Sequence, residues 1–340
     1  MVVNTKNGKS VVLTDGGRSA EHDLIWSLAA APSHKPRFAF AATDHDDESE
    51  GAKTRVYCGS AAGPEIRQLL EGPFFDRSGE RLAYVAIMPD HQVRLVLDGK
   101  VLDDCERKAF SFAPNGQGWA CAEQRRLRWA ARFGKYEGGE CDDVSQATVS
   151  PDGLRLAWVG QIGTDAFVMA DGERRPNLAR ISELHWLPSG DDVLYCGEPK
   201  SVEERKDAAS SWVVMLGKKE IWTRGFACDL QVSGDGKRLL FWVAESTLDE
   251  RWSLHCDQEV LGKSWDRGPA AFSPDGRFVA WQRTDGEGVR WLCMGDAKFR
   301  LRGNLQSLEW SSDGSTVSFA VCGDRALSWV TVRSEPARPK

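Results

Sequence analysis

Long apolar runs are missing from this sequence. Its first 17 residues, MVVNTKNGKSVVLTDGG, contain no apolar core of signal-peptide length. No other stretch reaches the roughly 20 apolar residues that a membrane-spanning helix needs. We therefore expect a protein without a membrane partner that resides in the cytoplasm, or in the periplasm if a signal peptide has been removed.

Paired cysteine motifs are also missing. The chain has nine cysteines, an odd number, and no two of them have CxxC spacing. This excludes a zinc knuckle and a thioredoxin-like redox motif. Several cysteines lie inside short apolar runs and are interpreted as small buried side chains of strands: Cys58, Cys121, Cys196, Cys293 and Cys322.

Signatures of catalysis and of nucleic-acid binding are absent as well. There is no GxSxG or HExxH, and the GKS strings at Gly8 and Gly262 lack the earlier glycine of a phosphate loop. With 44 Lys+Arg against 50 Asp+Glu, the net charge of −6 offers no broad basic field. We expect no nucleic-acid partner, no cofactor and no catalytic residues, although sequence spacing does not reveal a site assembled across strands.

What the chain does have is glycine, tryptophan and a repeat. Among its 33 glycines, seven belong to a recurring phrase in which an apolar or aromatic residue precedes a Ser/Pro/Asp/Asn-Gly turn and a strand ending in an aromatic follows it. These glycines are separated by 37, 37, 37, 46, 40 and 38 residues. They are Gly79, Gly116, Gly153, Gly190, Gly236, Gly276 and Gly314. A degenerate earlier copy has Lys35 at the glycine position.

An aromatic residue occupies a fixed place in the repeat. The fifth residue after the turn position is aromatic in seven of the eight copies, and Cys121 is the exception. A large side chain at a fixed strand position suits the wedge between neighbouring sheets. We interpret these residues as core: Phe40, Tyr84, Trp158, Tyr195, Phe241, Trp281 and Phe319.

Each repeat predicts four short strands. A second apolar run and a second turn follow every phrase, as in QVRLVLDGKVLDD from Gln92. Four strands in about 40 residues form one blade of a β-propeller, and short β-branched runs bounded by glycine argue against helical repeats. The sequence thus predicts an all-β protein of four-stranded antiparallel blades, eight in number, or seven if Ala31 to Lys35 is not a blade turn.

The ends of the chain predict how the ring closes. The last copy offers three strands and then a polar tail, while SVVLT at Ser10 to Thr14 has no blade of its own. We expect this N-terminal strand to complete the last blade and protect its edge. Residues 1–340 would then be one propeller domain, with a core of about 10–332 and a tail of 333–340.

At these turns the chain resembles the TolB-like propeller family, whose repeat carries a Ser-Pro-Asp-Gly turn and a Leu-Ala-aromatic strand. SPDG stands intact at Ser150 to Gly153 and at Ser273 to Gly276. The resemblance covers nearly the whole chain and implies the fold. It implies no single activity, because relatives include protein-interaction modules and propellers that gate peptidases.

The densest charge run, TDHDDESEG from Thr43 to Gly51, is a weak candidate for a metal site. Asp46, Glu48 and Glu50 match the start of a calcium loop loosely, but Tyr57 stands where the closing Glu should fall. A solvated acidic loop is the simpler interpretation, and no metal is expected.

Loops that emerge on the channel face are the predicted place for ligand binding. They are the connections between second and third strands and between blades, and long loops on a rigid scaffold often bind ligands. Solvated rim charges are the alternative interpretation. The candidates are His22, Asp23, Arg107, Asp143, Glu183, Arg224, Asp229 and Arg267.

Two functions remain open from the sequence. The first is a monomeric, non-catalytic binding or scaffold protein that presents its channel face to a protein, a peptide or a small polar ligand. The second is a propeller hydrolase or lyase with a metal or an acid/base group at the channel mouth. Repeat regularity and the missing catalytic motifs favour the first.

Overall fold

A computed structural model describes residues 2–5, 7–14, 17–31, 37–45, 52–103, 105–200, 212–223, 225–244, 251–322 and 327–333. These residues form antiparallel β-sheets, and no helix occurs among them. The contacts of the chain divide it into two compact units, Met1–Arg175 and Pro176–Lys340.

Unit 1 contains an N-terminal sheet and four blades in which each strand pairs with the next one along the chain. The N-terminal sheet has strands β1 (Val2–Asn4), β2 (Ser10–Thr14) and β3 (Gly17–Arg18). Blade 1 has β4 (Leu24–Ala30), β5 (Phe38–His45), β6 (Ala52–Cys58) and β7 (Ala61–Ile66), and blade 2 has β8 (Gln68–Phe75), β9 (Leu82–Ile87), β10 (Val93–Leu97) and β11 (Lys100–Leu102). Blade 3 has β12 (Arg107–Phe112), β13 (Trp119–Arg125), β14 (Arg128–Phe133) and β15 (Tyr136–Glu137), and blade 4 has β16 (Asp143–Val149), β17 (Leu156–Ile162), β18 (Asp165–Ala170) and β19 (Glu173–Arg174).

Unit 2 contains three further four-stranded blades and a three-stranded one. Blade 5 has β20 (Arg180–Trp186), β21 (Val193–Glu198), β22 (Val213–Leu216) and β23 (Lys219–Thr223), and blade 6 has β24 (Phe226–Val232), β25 (Leu239–Ala244), β26 (Trp252–Cys256) and β27 (Glu259–Ser264). Blade 7 has β28 (Ala270–Phe272), β29 (Val279–Thr284), β30 (Arg290–Met294) and β31 (Ala297–Arg300), and blade 8 has β32 (Asn304–Trp310), β33 (Thr316–Cys322) and β34 (Leu327–Arg333).

The sheets confirm the predicted all-β class and the antiparallel four-stranded blades, and the eight repeat copies correspond to blades 1 to 8. The turn of the first copy, residues 32–36, lies outside the described residues, as do residues 46–51 of the acidic run and residues 201–211 and 245–250 of two other connections between second and third strands.

The N-terminal strand belongs to a three-stranded sheet. Strand β2 pairs with β1 on one side and with β3 on the other, in a separate three-stranded sheet. Closure of the ring by β2 as the fourth strand of blade 8 stays a prediction. The preceding residues Val2–Asn4 form a strand of their own, which the prediction did not include.

The repeated aromatic residues lie in the core, as predicted. All seven are at most 5% exposed. Phe241 of blade 6, for example, belongs to one buried cluster with Leu194 and Val214 of blade 5. Burial of one such side chain contributes about 1.5–3 kcal/mol to stability, so the repeat spacing directly encodes the packing of blade on blade.

Each predicted turn glycine has a positive φ, between 68° and 76°. In the intact SPDG turn of blade 7, the Ser273 hydroxyl donates to Asp275 at 2.6 Å and accepts from the amide of Phe278 at 2.9 Å. The Ser273 hydroxyl and the amide and guanidinium of Arg277 hold the pKa of Asp275 at about 2. These bonds explain why Ser and Asp accompany glycine in the repeat.

An arginine at the start of the second strand joins one blade to the next. Arg238 of blade 6 donates to the carbonyls of Gly276 and Arg277 in the turn of blade 7, both at 3.1 Å. In unit 1, Arg37 of blade 1 donates in the same way to Gly79 and to the following residue of blade 2, both at 2.7 Å. The turn glycines therefore also present carbonyls to the preceding blade.

Replacing Gly153 by Val should destabilise the fold more than replacing Gly172 by Val. Both glycines have φ of +74°, which strains any β-branched residue, so each change should cost about 1–3 kcal/mol. A Cβ at Gly153 would in addition displace the Asn115 side chain, which donates to the carbonyl of Asp152 at 3.0 Å. No atom lies within 4 Å of a Cβ at Gly172. Losing that hydrogen bond adds about 0.5–1.5 kcal/mol at Gly153.

The measurement is urea unfolding of the two variants and the parent protein. Gly172→Val is the matched control for backbone strain alone. Equal midpoints for Gly153→Val and the parent would contradict the turn assignment, and equal midpoints for the two variants would contradict the role of Asn115.

Candidate functional site

The candidate site is built on an irregularity of β24, the first strand of blade 6. Cys228 pairs with Trp242 and Gln231 pairs with Leu240, so the two intervening residues stand opposite one residue of β25. Asp229, the first of the two, has φ of +55°. A bulge of this kind turns main-chain amides away from the neighbouring strand, and they need another acceptor.

Glu183 of blade 5 supplies that acceptor. Its Oε1 accepts from the amide of Asp229 at 2.7 Å and its Oε2 accepts from the amide of Leu230 at 2.9 Å. His185 Nε2 lies 3.4 Å from the same Oε2. Burial by itself would raise the pKa of Glu183, but the contacts with His185 and the two amides outweigh it and lower the pKa.

The same arrangement occurs in unit 1. In β12, Ala109 has φ of +52° and starts a two-residue bulge. The amides of Ala109 and Phe110 donate to Glu71 Oε1 and Oε2 of blade 2 at 2.7 and 2.9 Å. We call this arrangement a carboxylate clamp: a glutamate accepts hydrogen bonds from two bulge amides of the next blade. Glu183, predicted to bind a ligand, thus has both carboxylate oxygens engaged by main chain.

The clamp of unit 2 borders a cleft of about 380 Å³. This volume falls within the range of small-ligand sites. The described residues that line it include two carboxylates and no lysine or arginine. They are Glu183, His185, Asp229, Leu230, Gln231, Trp242, Gly268, Pro269 and Ala270.

Arg267 holds one side of Asp229. Its Nη1 lies 3.4 Å from Asp229 Oδ2 and 3.1 Å from Cys228 Sγ. The guanidinium carbon lies 4.7 Å from the centroid of the Trp252 ring, a cation–π contact. These contacts orient Arg267 although its side chain is 44% exposed.

Desolvation changes the ionisation of two groups beside Arg267. Partial burial raises the pKa of Asp229, Arg267 opposes the rise and the charge of Glu183 adds to it. Burial raises the pKa of Cys228 to about 12, so its thiol stays protonated at neutral pH. A protonated thiol is a poor nucleophile and a poor metal ligand, and Asp229 is therefore the group of interest.

The structure brings three of the predicted residues together, namely Glu183, Asp229 and Arg267. Sequence reasoning did not select His185, Gln231 or Trp242 for this site. His185 follows Glu183 by two residues in β20 and therefore lies on the same side of the strand. This spacing is the sequence signal that could have identified His185. Gln231 Nε2 donates to the carbonyl of Ala270 at 2.9 Å and so ties blade 6 to blade 7 within the cleft.

Two other predicted residues form a separate charged group in unit 1. Buried His22 lies 2.8 Å, at Nδ1, from Asp44 Oδ2. Asp23 accepts from the amide of His45 at 2.7 Å and from Lys9 Nζ at 2.5 Å, and these bonds hold its pKa at about 2. Both residues thus anchor the N-terminal segment to blade 1.

Arg107 and Asp143 are the remaining described candidates. Arg107 is buried, and its Nε donates to Glu123 Oε1 at 3.1 Å, while Arg132 donates to Oε2 at 2.9 Å. Asp143 accepts a hydrogen bond from Lys108 Nζ. The buried ion pair of Arg107 and Glu123 is a structural contact, because removing either partner would leave an uncompensated buried charge.

Four predicted positions lie outside the described residues: Arg224 and the weak metal candidates Asp46, Glu48 and Glu50. Across the part of the chain that the structure describes, no group of three or more His, Cys, Asp or Glu side chains has the geometry to hold a metal ion. The same part contains no helix long and apolar enough to span a membrane.

Replacing Glu183 by Gln should destabilise the protein at pH 7 by about 1–3 kcal/mol, because one amide of the bulge loses its acceptor and meets an NH₂ group. Glu71→Gln should cost a similar amount.

The contribution of Glu183 to stability should also depend on pH. Because the pKa of Glu183 is lowered in the folded state, this contribution is present above the unfolded-state pKa and disappears as the pH falls through the folded-state pKa. Urea unfolding at pH 7 and at pH 3 measures both effects. An unchanged midpoint at pH 7 would show that the clamp is not formed.

Replacing Asp229 by Asn should have the opposite effect. A raised carboxyl pKa means that the folded state favours the protonated group, so the charged form at pH 7 is destabilising. Asn is uncharged and tolerates a positive φ. We expect Asp229→Asn to raise the urea midpoint at pH 7, and the gain to vanish as the pH falls and wild-type Asp229 takes up its proton. Asp275→Asn, at a carboxyl with a lowered pKa, should lower the midpoint instead.

No family model and no curated protein matches the chain. Solved structures that resemble it include the β-propeller domain of Cps50 (Swd1) from Myceliophteria thermophila, at 14% identity, covering 78% of this chain and 100% of that one, with a TM-score of 0.40. The Dos1 propeller shares 10% identity over 89% of this chain and 94% of that chain, with a TM-score of 0.47. TolB from Acinetobacter baumannii shares 14% identity over 81% and 78%, with a TM-score of 0.35. Because these scores lie below 0.5, the description of the sheets as blades rests on their strand pairing.

Proposed function

We propose that the chain is a non-catalytic binding protein of the TolB-like propeller family, a single propeller domain that binds a protein, a peptide or a small polar ligand. The cleft of blades 5 to 7 is its binding site. One observation carries this proposal: Asp229, with a half-exposed carboxylate, is fixed at the border of a cleft of about 380 Å³ by the clamp of Glu183 and by Arg267.

Rigid presentation is the physical reason to favour binding. A recognition group whose main chain is fixed loses little conformational entropy when a ligand arrives. The amides of Asp229 and Leu230 donate to Glu183, and Arg267 restrains the Asp229 side chain. Trp252, under Arg267, adds apolar surface next to these charges. Rigid charged groups beside aromatic surface are typical of ligand-binding sites.

A hydrolase or lyase is the second candidate, and one observation favours it. The pKa of Asp229 is raised while the pKa of neighbouring Glu183 is lowered. Two carboxyl groups with oppositely shifted pKa values can serve as acid and base. Against this, both oxygens of Glu183 are engaged by main-chain amides. Stoichiometric divalent metal that is lost in Asp229→Ala would favour the enzyme.

For location and assembly we propose a monomer in the cytoplasm, on the strength of the sequence alone. Sedimentation of the purified protein and fractionation of cells test these two points. A dimer mass or recovery from the periplasm would contradict them.

The binding proposal is tested by selecting a phage library of random peptides on the wild-type protein and measuring the affinity of the selected peptides by fluorescence anisotropy. Asp229→Ala should weaken them by about tenfold or more, a loss of about 1.4 kcal/mol. This variant is compatible with the fold, since Ala109 occupies the equivalent bulge position of blade 3 at φ of +52°.

Lys237→Ala is the matched control, because Lys237 is an exposed turn residue of the same blade. We expect it to leave the affinities unchanged. Failure to select any peptide, or equal affinities for wild type and Asp229→Ala, would overturn the proposed binding site.

A further inference from the structure

The two carboxylate clamps hold the same main-chain shape but present different side chains. In blade 3 the residue at positive φ is Ala109, and in blade 6 it is Asp229. Each lies seven residues before the turn glycine of its blade, Gly116 or Gly236. Ala109 shows that the clamp forms without a polar side chain at this position. The clamp of blade 6 therefore does not require the carboxylate of Asp229.

The clamp fixes where this carboxylate points. An L-residue at positive φ is uncommon, and it persists only where its surroundings enforce it. Here Glu183 enforces it through bonds of 2.7 and 2.9 Å to the amides of Asp229 and Leu230. The Asp229 side chain, half exposed, therefore leaves the main chain in a direction set by Glu183.

The charges that face the cleft select the ligand. Its described lining carries the carboxylates of Glu183 and Asp229, with His185 beside them. Arg267 contacts Asp229 at Oδ2 only, at 3.4 Å, and is itself held by Cys228 and Trp252. The cleft thus has negative charge at its edge, and a cation is the complementary ligand group.

We propose that the cleft binds a guanidinium or ammonium group of a peptide partner on the carboxylate of Asp229, and that Glu183 is a positioning residue for this contact. This inference rests on the proposed binding function and names its ligand class. A cation that approaches Asp229 meets a rigid acceptor. The cleft has room for one long side chain, because its volume of about 380 Å³ is small for a ligand site.

The first experiment compares a charged probe with a neutral one of the same shape. Acetyl-arginine amide and acetyl-citrulline amide are titrated into the ¹⁵N-labelled full chain, and the amide resonances of residues 229–231 are followed. We expect saturable shifts with the arginine probe and at least tenfold weaker binding of the citrulline probe. Higher salt should weaken the arginine probe only.

The second experiment tests positioning with a double-mutant cycle. Asp229→Asn should weaken the arginine probe at least tenfold, and Glu183→Gln should weaken it severalfold. In the double variant, Glu183→Gln should cause no further loss, because Glu183 acts through Asp229. Glu71→Gln, which breaks the matching clamp of unit 1, should leave probe affinity unchanged although it lowers stability.

Several results would overturn the inference. Equal binding of the two probes, or unchanged affinity in Asp229→Asn, would exclude a cation contact at Asp229. Additive losses in the double variant would exclude a positioning role for Glu183. If library-selected peptides bind the cleft in an Asp229-dependent way but show no preference for Arg or Lys, only this inference fails. If neither peptides nor probes bind there, the proposed function fails as well.

Discussion

The site depends on one interaction, the capture of two main-chain amides by a carboxylate of the preceding blade. A bulge in the first strand of a blade leaves these amides without a sheet partner, and a buried amide without an acceptor is costly. Glu183 meets that need in unit 2 and Glu71 meets it in unit 1, with the same pair of distances. The clamp thereby joins neighbouring blades and permits a positive φ at a residue other than glycine.

In the proposed function, this constraint provides a binding site within a regular repeat. Seven of the eight blades pack an aromatic residue at the same strand position, and core packing and turn closure together occupy most of the repeat positions. The side chain of the bulge residue is not constrained in this way. The neighbouring blade holds its main chain, and its side chain contributes nothing to the clamp. Blade 3 keeps Ala109 there, and blade 6 has Asp229 beside Arg267 and a cleft. Under the proposed function, one bulge position carries the binding group while the clamp beneath it is the same in both blades.

The repeat made the blades predictable, because hairpin turns and buried aromatics depend on local spacing. Strand β33 (Thr316–Cys322), for example, is one of the three strands that the pattern predicts for the last copy. Closure of the ring by the N-terminal strand stays a prediction, since the edge partners of this strand are set by contacts that no local pattern encodes. The clamp escaped sequence reasoning for a similar reason. Glu183 lies seven residues before Gly190, whereas Glu71 lies eight before its own turn glycine, because β8 contains a second register shift. Fixed spacing therefore hides the equivalence of the two glutamates.

The pH dependence of two amide proton resonances, those of Asp229 and Leu230, tests the central claim most directly. An amide that donates to a carboxylate resonates downfield and follows the ionisation of its acceptor. If Glu183 holds both amides, the two resonances move together, with one apparent pKa below the ordinary range of glutamate. Resonances that do not titrate, or that titrate with different pKa values, would show that the clamp does not exist and that Asp229 is not held beside the cleft.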